Sequence, residues 1–173
     1  MTISMSSASL PVFKSTLANL SHILDKGQAH VEARKIDPNA LLQFRLAPDM
    51  LPFTRQIQIA CDAAKNGIAR ISGVEAPKFE DAETTFAELK ARIQKTVDFL
   101  ASVPAEKMDG TEEKEITIPI GKDKTRTFNC EAYLKHWALA NFFFHTTMAY
   151  AILRNNGVEL GKADYLAGAA AAA

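Results

Sequence analysis

The chain has no net charge to speak of and almost no cysteine. Twenty lysines and arginines stand against twenty acidic residues in 173. Such a balance leaves no basic surface by composition, which argues against nucleic acid or an anionic membrane as the main partner. Two cysteines, Cys61 and Cys130, are too few for a disulfide framework and are expected to be reduced, as in a cytoplasmic protein. No stretch reaches the roughly 18 consecutive apolar residues that a membrane span requires, so none is expected to cross a membrane. The first residues, Met1-Thr2-Ile3-Ser4-Met5-Ser6-Ser7, lack a basic segment followed by an apolar one, so no secretory signal is expected. There is also no glycine-rich phosphate loop, no paired-cysteine motif and no Gly-x-Ser-x-Gly elbow, which removes the commonest local signatures of nucleotide, zinc and serine-hydrolase chemistry.

What is present is helical periodicity. Residues 129–156 read as one long helix, with Asn129 as its N-cap and Gly157 as its stop. From Trp137 to Leu153 this helix is apolar almost all round, so other elements must surround it. Along one stripe run Leu134, Ala138, Asn141, His145, Met148 and Ile152, so Asn141 and His145 are expected to face the interior together, both largely inaccessible. Ahead of it, residues 6–26 form a first helix with an inward face of Phe13, Leu17, Leu20 and Leu24. Gly27 either ends this helix or lets it run on towards Arg34. Asp37-Pro38-Asn39 starts a turn and one short helical turn through Leu42. A second helix covers residues 49–72, capped by Asp49, with Ile57, Cys61, Ala64, Ile68 and Ile71 inward and Gly73 as the stop. Thr85 and Glu88 form a capping box that opens a third helix, residues 85–102, closed by Pro104. Ile116, Ile118 and Ile120 then alternate with polar residues, which is strand spacing, and residues 125–128 return as the second strand of a hairpin.

The fold class expected is therefore all-α: a four-helix bundle with a small β-hairpin before the last helix. It forms one domain over residues 1–166. Residues 167–173 read as a motif-free tail. The connection of residues 28–48 is long enough to be a crossover, so the first two long helices need not be adjacent antiparallel neighbours.

Four histidines are available, and His136 and His145, nine residues apart on one helix, point to opposite faces and cannot share a metal. Cys61 falls on an apolar face, where a thiol is ordinarily inert packing; Cys130, at a helix start, is the better placed for reactivity. Arg45, Arg55 and Arg70 are candidates for anion binding, although arginines so scattered ordinarily sit on solvated faces. Phe142, Phe143 and Phe144 are consecutive and span about 200° of a helix, more than one core can absorb, so a homodimer through helix faces is expected.

Several phrases carry a resemblance to a known family: Leu46-Ala47-Pro48-Asp49-Met50, Arg55-Gln56-Ile57-Gln58-Ile59-Ala60-Cys61-Asp62, Thr84-Thr85-Phe86-Ala87-Glu88-Leu89, Asn141-Phe142-Phe143-Phe144-His145 and the helix ending that follows to Val158. Through them the chain resembles, from about residue 5 to 166, a bacterial and fungal family of unknown function within the DinB/YfiT-like superfamily of metalloenzymes. The resemblance implies a four-helix bundle, frequent homodimers and, in many members, a divalent metal held by three histidines. Two of these form His-x-x-x-His on the last helix: His145 matches the second, and Asn141 stands at the first. The third belongs on the second helix, where this chain has no histidine between Asp49 and Gly73; Gln58 or Asp62 is the nearest substitute. Relatives with intact sites include thiol-dependent transferases and isomerases. The expectation is a bundle protein whose metal site is degenerate, with no cofactor, binding a small ligand or partner as a dimer. The alternative is a metal-dependent enzyme, of thiol-transferase or hydrolase type, using His145, Asn141 and Asp62 or Gln58 with a hard divalent ion.

Overall fold

In the computed structural model, which describes residues 3–171, four long helices close around one core. Helix α1 spans Met5–Arg34 and the short α2 spans Pro38–Leu42. Helix α3 spans Phe53–Ser72 and α4 Phe86–Ser102. Strands β1, Glu115–Pro119, and β2, Thr125–Asn129, form an antiparallel hairpin that pairs Thr117 with Thr127. The last long helix comes in three parts: α5, Cys130–Tyr133; a π-helical turn, Leu134–Ala138; and α6, Leu139–Asn155. Helix α3 packs most extensively on α6 and then on α4, while α1 packs on α4; α4 and α6 lie across the bundle from each other. The long crossover between α1 and α3 is therefore used to reach a helix with which α1 makes little contact.

The local signals explain most boundaries. Ser4 caps α1 and exchanges hydrogen bonds with Ser7, so the helix starts at Met5, just ahead of the expected residue 6. Gly27 does not end this helix. A Cβ there would lie 3.1 Å from Leu153 and 3.2 Å from Phe86, so glycine lets α1 close on both α6 and α4 while the helix continues to Arg34. The Thr85–Glu88 capping box and the Asn129 cap form as expected. Helix α3 starts later than expected, at Phe53 rather than Asp49. Pro52 holds extended backbone, and the first free amide, that of Phe53, donates to the Phe44 carbonyl at 2.9 Å instead of to a side-chain cap. At the core, Phe13 of α1 meets Phe142 of α6 edge to face, centroids 4.8 Å apart. Among the described residues no helix is long and apolar enough to cross a membrane.

Two expectations change. The last helix is not one regular α-helix: the π turn inserts an extra residue, which rotates everything after it by about 100° relative to Cys130 and Tyr133. The expected tail is not featureless either, because its residues 167–171 close helix α7, Lys162–Ala171, which is bent at Ala167 and lies along α1. Residues 172 and 173 of the expected tail lie outside the described residues. The alanine-rich composition favours a helix, but what holds α7 is polar. Asp164 accepts from the Gly161 amide at 2.7 Å and pairs with Lys26 and His22. Asn19 of α1 donates to the Tyr165 carbonyl and accepts from the Ala169 amide. The Tyr165 hydroxyl bonds Thr146 and Thr147.

The Gly161 amide above all, then Lys26 and His22, hold the Asp164 carboxyl from its ordinary 3.8 down to about 2. Its stabilising contribution is thus complete above pH ~4 and lost as pH falls towards ~2, since the unfolded chain takes up the proton first. Urea denaturation across that window is expected to show a shallower acid loss in Asp164→Asn than in the natural sequence; equal slopes would mean Asp164 does not anchor α7.

Candidate functional site

The structure does not gather the four candidate residues about one point. His145 is buried, 9% exposed, and lies on the α6 face that meets α3. Its partner there is Gln56, missed by the sequence reading: His145 Nδ1 and Gln56 Oε1 are 2.7 Å apart. The other end of the same amide, Gln56 Nε2, donates to the Leu51 carbonyl at 3.0 Å. A carbonyl can only accept, so the amide orientation is fixed and Nδ1 must carry the hydrogen, leaving Nε2 with its lone pair. Burial holds the imidazole below its ordinary pKa, so it is neutral at pH 7. The available signal was Gln56 itself, two residues before Gln58 on this helix, and its rotation relative to α6 is set by packing.

Gln58 and Asp62 belong to a different cluster. Arg92 of α4, nearly inaccessible, reaches Asp62 at 3.2 Å, Asp81 at 3.0 Å and Glu83 at 3.0 Å, and donates to the Glu80 carbonyl. Lys65, also buried, lies 3.2 Å from Asp62 and donates to the Pro77 carbonyl. Arg55 pairs with Asp81 and donates to Gln58, which in turn donates to Glu83 at 2.8 Å. Lys65 and Arg92 both sit over the ring of Phe79. Burial works against the Arg92 charge, but the hydrogen bonds to Glu83 and the carboxylates of Asp62 and Glu83 outweigh it and raise its pKa. The cluster ties the connection of residues 73–84 to α3 and α4.

Asn141 is half-buried, not enclosed with His145 as expected. Its amide turns back along its own helix and donates to the Trp137 carbonyl in the π turn at 2.7 Å. It does share one space with Asp62. The two line opposite walls of a groove of about 190 Å³ between α3 and the last helix. The α3 wall carries Asp62, Asn66 and Arg70, and the facing wall Tyr133, Trp137 and Asn141. The groove floor is tight because Gly67 lets α3 approach the π turn: a Cβ there would be 3.3 Å from that of Ala138. Phe128 of the hairpin backs the aromatic wall, 6.1 Å from Tyr133 and 5.9 Å from Trp137.

Neither thiol is activated. Burial pushes Cys61 up to about 12 and also raises Cys130, which is enclosed at the start of α5, so the dipole of that helix does not make it reactive.

The domain of unknown function DUF1993 matches residues 5–166. A crystal structure of a DinB family member protein from Shewanella denitrificans superposes with a TM-score of 0.86, at 39% identity, over 93% of this chain and 90% of that one. No curated protein matches.

Replacing Gln56 with leucine strands the His145 donor and is expected to cost about 1–3 kcal/mol in urea denaturation. Because the folded imidazole titrates below its unfolded pKa, stability should fall as pH drops below ~6.5. His145→Gln should lose that component of the pH slope; an unchanged slope would show that His145 is not shielded.

Proposed function

As a member of the DUF1993 family with a DinB-like fold, this chain is, we propose, a bundle that binds a small molecule in the groove between α3 and the last helix, without a metal and as a homodimer. The observation that carries the reading is the groove itself, where polar side chains from two helices face one space beside an aromatic wall. The free, buried thiols of Cys61 and Cys130 suit a reducing compartment such as the cytoplasm.

The donors do not fit the metal that the superfamily implies. A three-ligand divalent site needs side chains that converge, and among the described residues no three His, Cys, Asp or Glu side chains do so. His145 offers one nitrogen. Asn141 offers a neutral amide already engaged with Trp137. Asp62 would have to leave Arg92 and Lys65, and Gln58 would have to leave Arg55 and Glu83. The competing reading, a metal-dependent enzyme on these residues, requires those exchanges.

The dimer face is supported by exposed aromatic surface. Phe143 and Phe144 are 38% and 52% exposed, while Phe142 is fully enclosed. The Phe144 ring stands edge-on to His145, whose partner Gln56 is bonded to the backbone of exposed Leu51. Leu51 and Phe144 therefore lie on one side of the molecule.

Trp137 is the chain's single tryptophan and lines the groove, so its emission reports occupancy directly. A panel of small polar metabolites is expected to contain molecules that shift this emission saturably, equally well after chelator treatment, and not in Asn141→Leu. A response lost to chelator and restored by a divalent ion would favour the enzyme reading.

Sedimentation at micromolar concentration is expected to give a dimer for the natural sequence and a monomer for Phe144→Glu. A monomeric natural protein would remove the dimer from the proposal.

A further inference from the structure

The groove holds a cation that no carboxylate among the described residues answers. Arg70, in the last turn of α3, donates from Nη1 to the Tyr133 hydroxyl at 2.9 Å, and its guanidinium lies 5.9 Å from the centre of the Tyr133 ring. Tyr133 is 1% exposed, so this anchor is set by the core. A guanidinium has five N–H donors. None of the ion pairs among the described residues involves Arg70. The Tyr133 hydroxyl accepts from Arg70 and has no acceptor for its own hydrogen among the described residues.

The neighbouring charges do not change this. In the network beside the groove, Arg55, Lys65 and Arg92 are matched by Asp62, Asp81 and Glu83. The charge left over in the groove is that of Arg70. At the opposite end, Asp62 stands about 12 Å away along α3, eight residues at the helical rise. A single unmatched cation suits a monoanion, and the acid at the far end disfavours a dianion. Between the two ends lies the half-buried face of Trp137. The space of about 190 Å³ is smaller than the roughly 300–1,000 Å³ of sites for drug-sized molecules, so the occupant is small.

We propose that the groove binds a small organic monocarboxylate, its two oxygens taken by an Arg70 N–H and the Tyr133 O–H and its apolar body laid against Trp137. The proposal rests on the groove reading above and adds the chemical class of the ligand. Tyr133 acts twice, as the anchor that points the guanidinium and as a donor in its own right. A carboxylate therefore meets two fixed donors, and little ordering remains to be done on binding.

Phenylacetate, its neutral isostere phenylacetamide and inorganic phosphate serve as probes, followed through the Trp137 indole N–H resonance. Phenylacetate is expected to shift this signal saturably and phenylacetamide to bind about tenfold more weakly, the difference a charge-assisted pair makes. Arg70→Gln should cost phenylacetate about tenfold and leave phenylacetamide unchanged, with the rest of the spectrum superimposable as the check on folding. Arg70→Lys should recover only part of the loss, because the charge returns without the fork. Tyr133→Phe should weaken phenylacetate alone. Equal binding of acid and amide, or indifference to Arg70→Gln, would overturn the carboxylate while leaving the groove as a binding site. Phosphate binding as tightly as phenylacetate would make this an inorganic-anion site and also overturn it. If no probe moves Trp137, the carboxylate proposal fails, and the groove reading is decided by the metabolite panel.

Discussion

A buried guanidinium constrains the side of this bundle that carries the groove. Removing a charge from water costs several kcal/mol unless partners replace the solvent, and Arg92 is almost wholly enclosed. Its two terminal nitrogens are met from three directions: Asp62 on α3, the Glu80 carbonyl, and Asp81 and Glu83 in the connection that leads into α4. That requirement holds residues 73–84 against the bundle although they contain no regular structure. It also decides what Asp62 can do. A carboxylate neutralising Arg92 and Lys65 is not a spare ligand, even though it stands on the wall of a groove facing Asn141.

The second constraint is the packing of α3 on the last helix. Gly67 brings the backbones close at Ala138, inside the π turn, and the extra residue of that turn sets which side chains reach the groove. Before the turn, Tyr133 is enclosed and receives Arg70; within it, Trp137 forms the wall; after it, His145 points at Gln56. The pair His145–Gln56 and the pair Arg70–Tyr133 are two polar bridges across the same helix interface. The first is closed, its amide anchored on Leu51. The second has donors to spare. This difference is why the proposed carboxylate is placed at the Arg70 end of the interface.

The fold is shared with a DinB family member protein at high structural similarity; in this chain Asn141 is bonded to Trp137, the His145 imidazole to Gln56, and Asp62 is committed to Arg92. In this chain the groove is made by the separation of α3 and the last helix and by the close approach of Gly67 to Ala138. Its chemistry can then follow whichever polar groups remain unsatisfied along its walls.

Much of this could be read from the chain alone, because it is local. The Thr85–Glu88 box, the Asn129 cap, the alternating Ile116 and Ile118, and the apolar stripes of the first three long helices each depend on residues a few positions apart, and the structure places them accordingly. That one core does not absorb three consecutive phenylalanines was legible too: Phe142 is enclosed while Phe143 and Phe144 are exposed. What the sequence did not decide is how one helix sits against another. Periodicity assigns a face within a helix but says nothing of the rotation and slide between helices, so Gln56 rather than Gln58 or Asp62 meets His145. The π turn leaves no mark that propensity can read, and the second half of α7 looked like a tail because the anchors of this helix, Asn19, His22 and Lys26, lie more than a hundred residues away in α1. Those contacts exist only once α1 is folded, which is why tertiary structure alone could assign them.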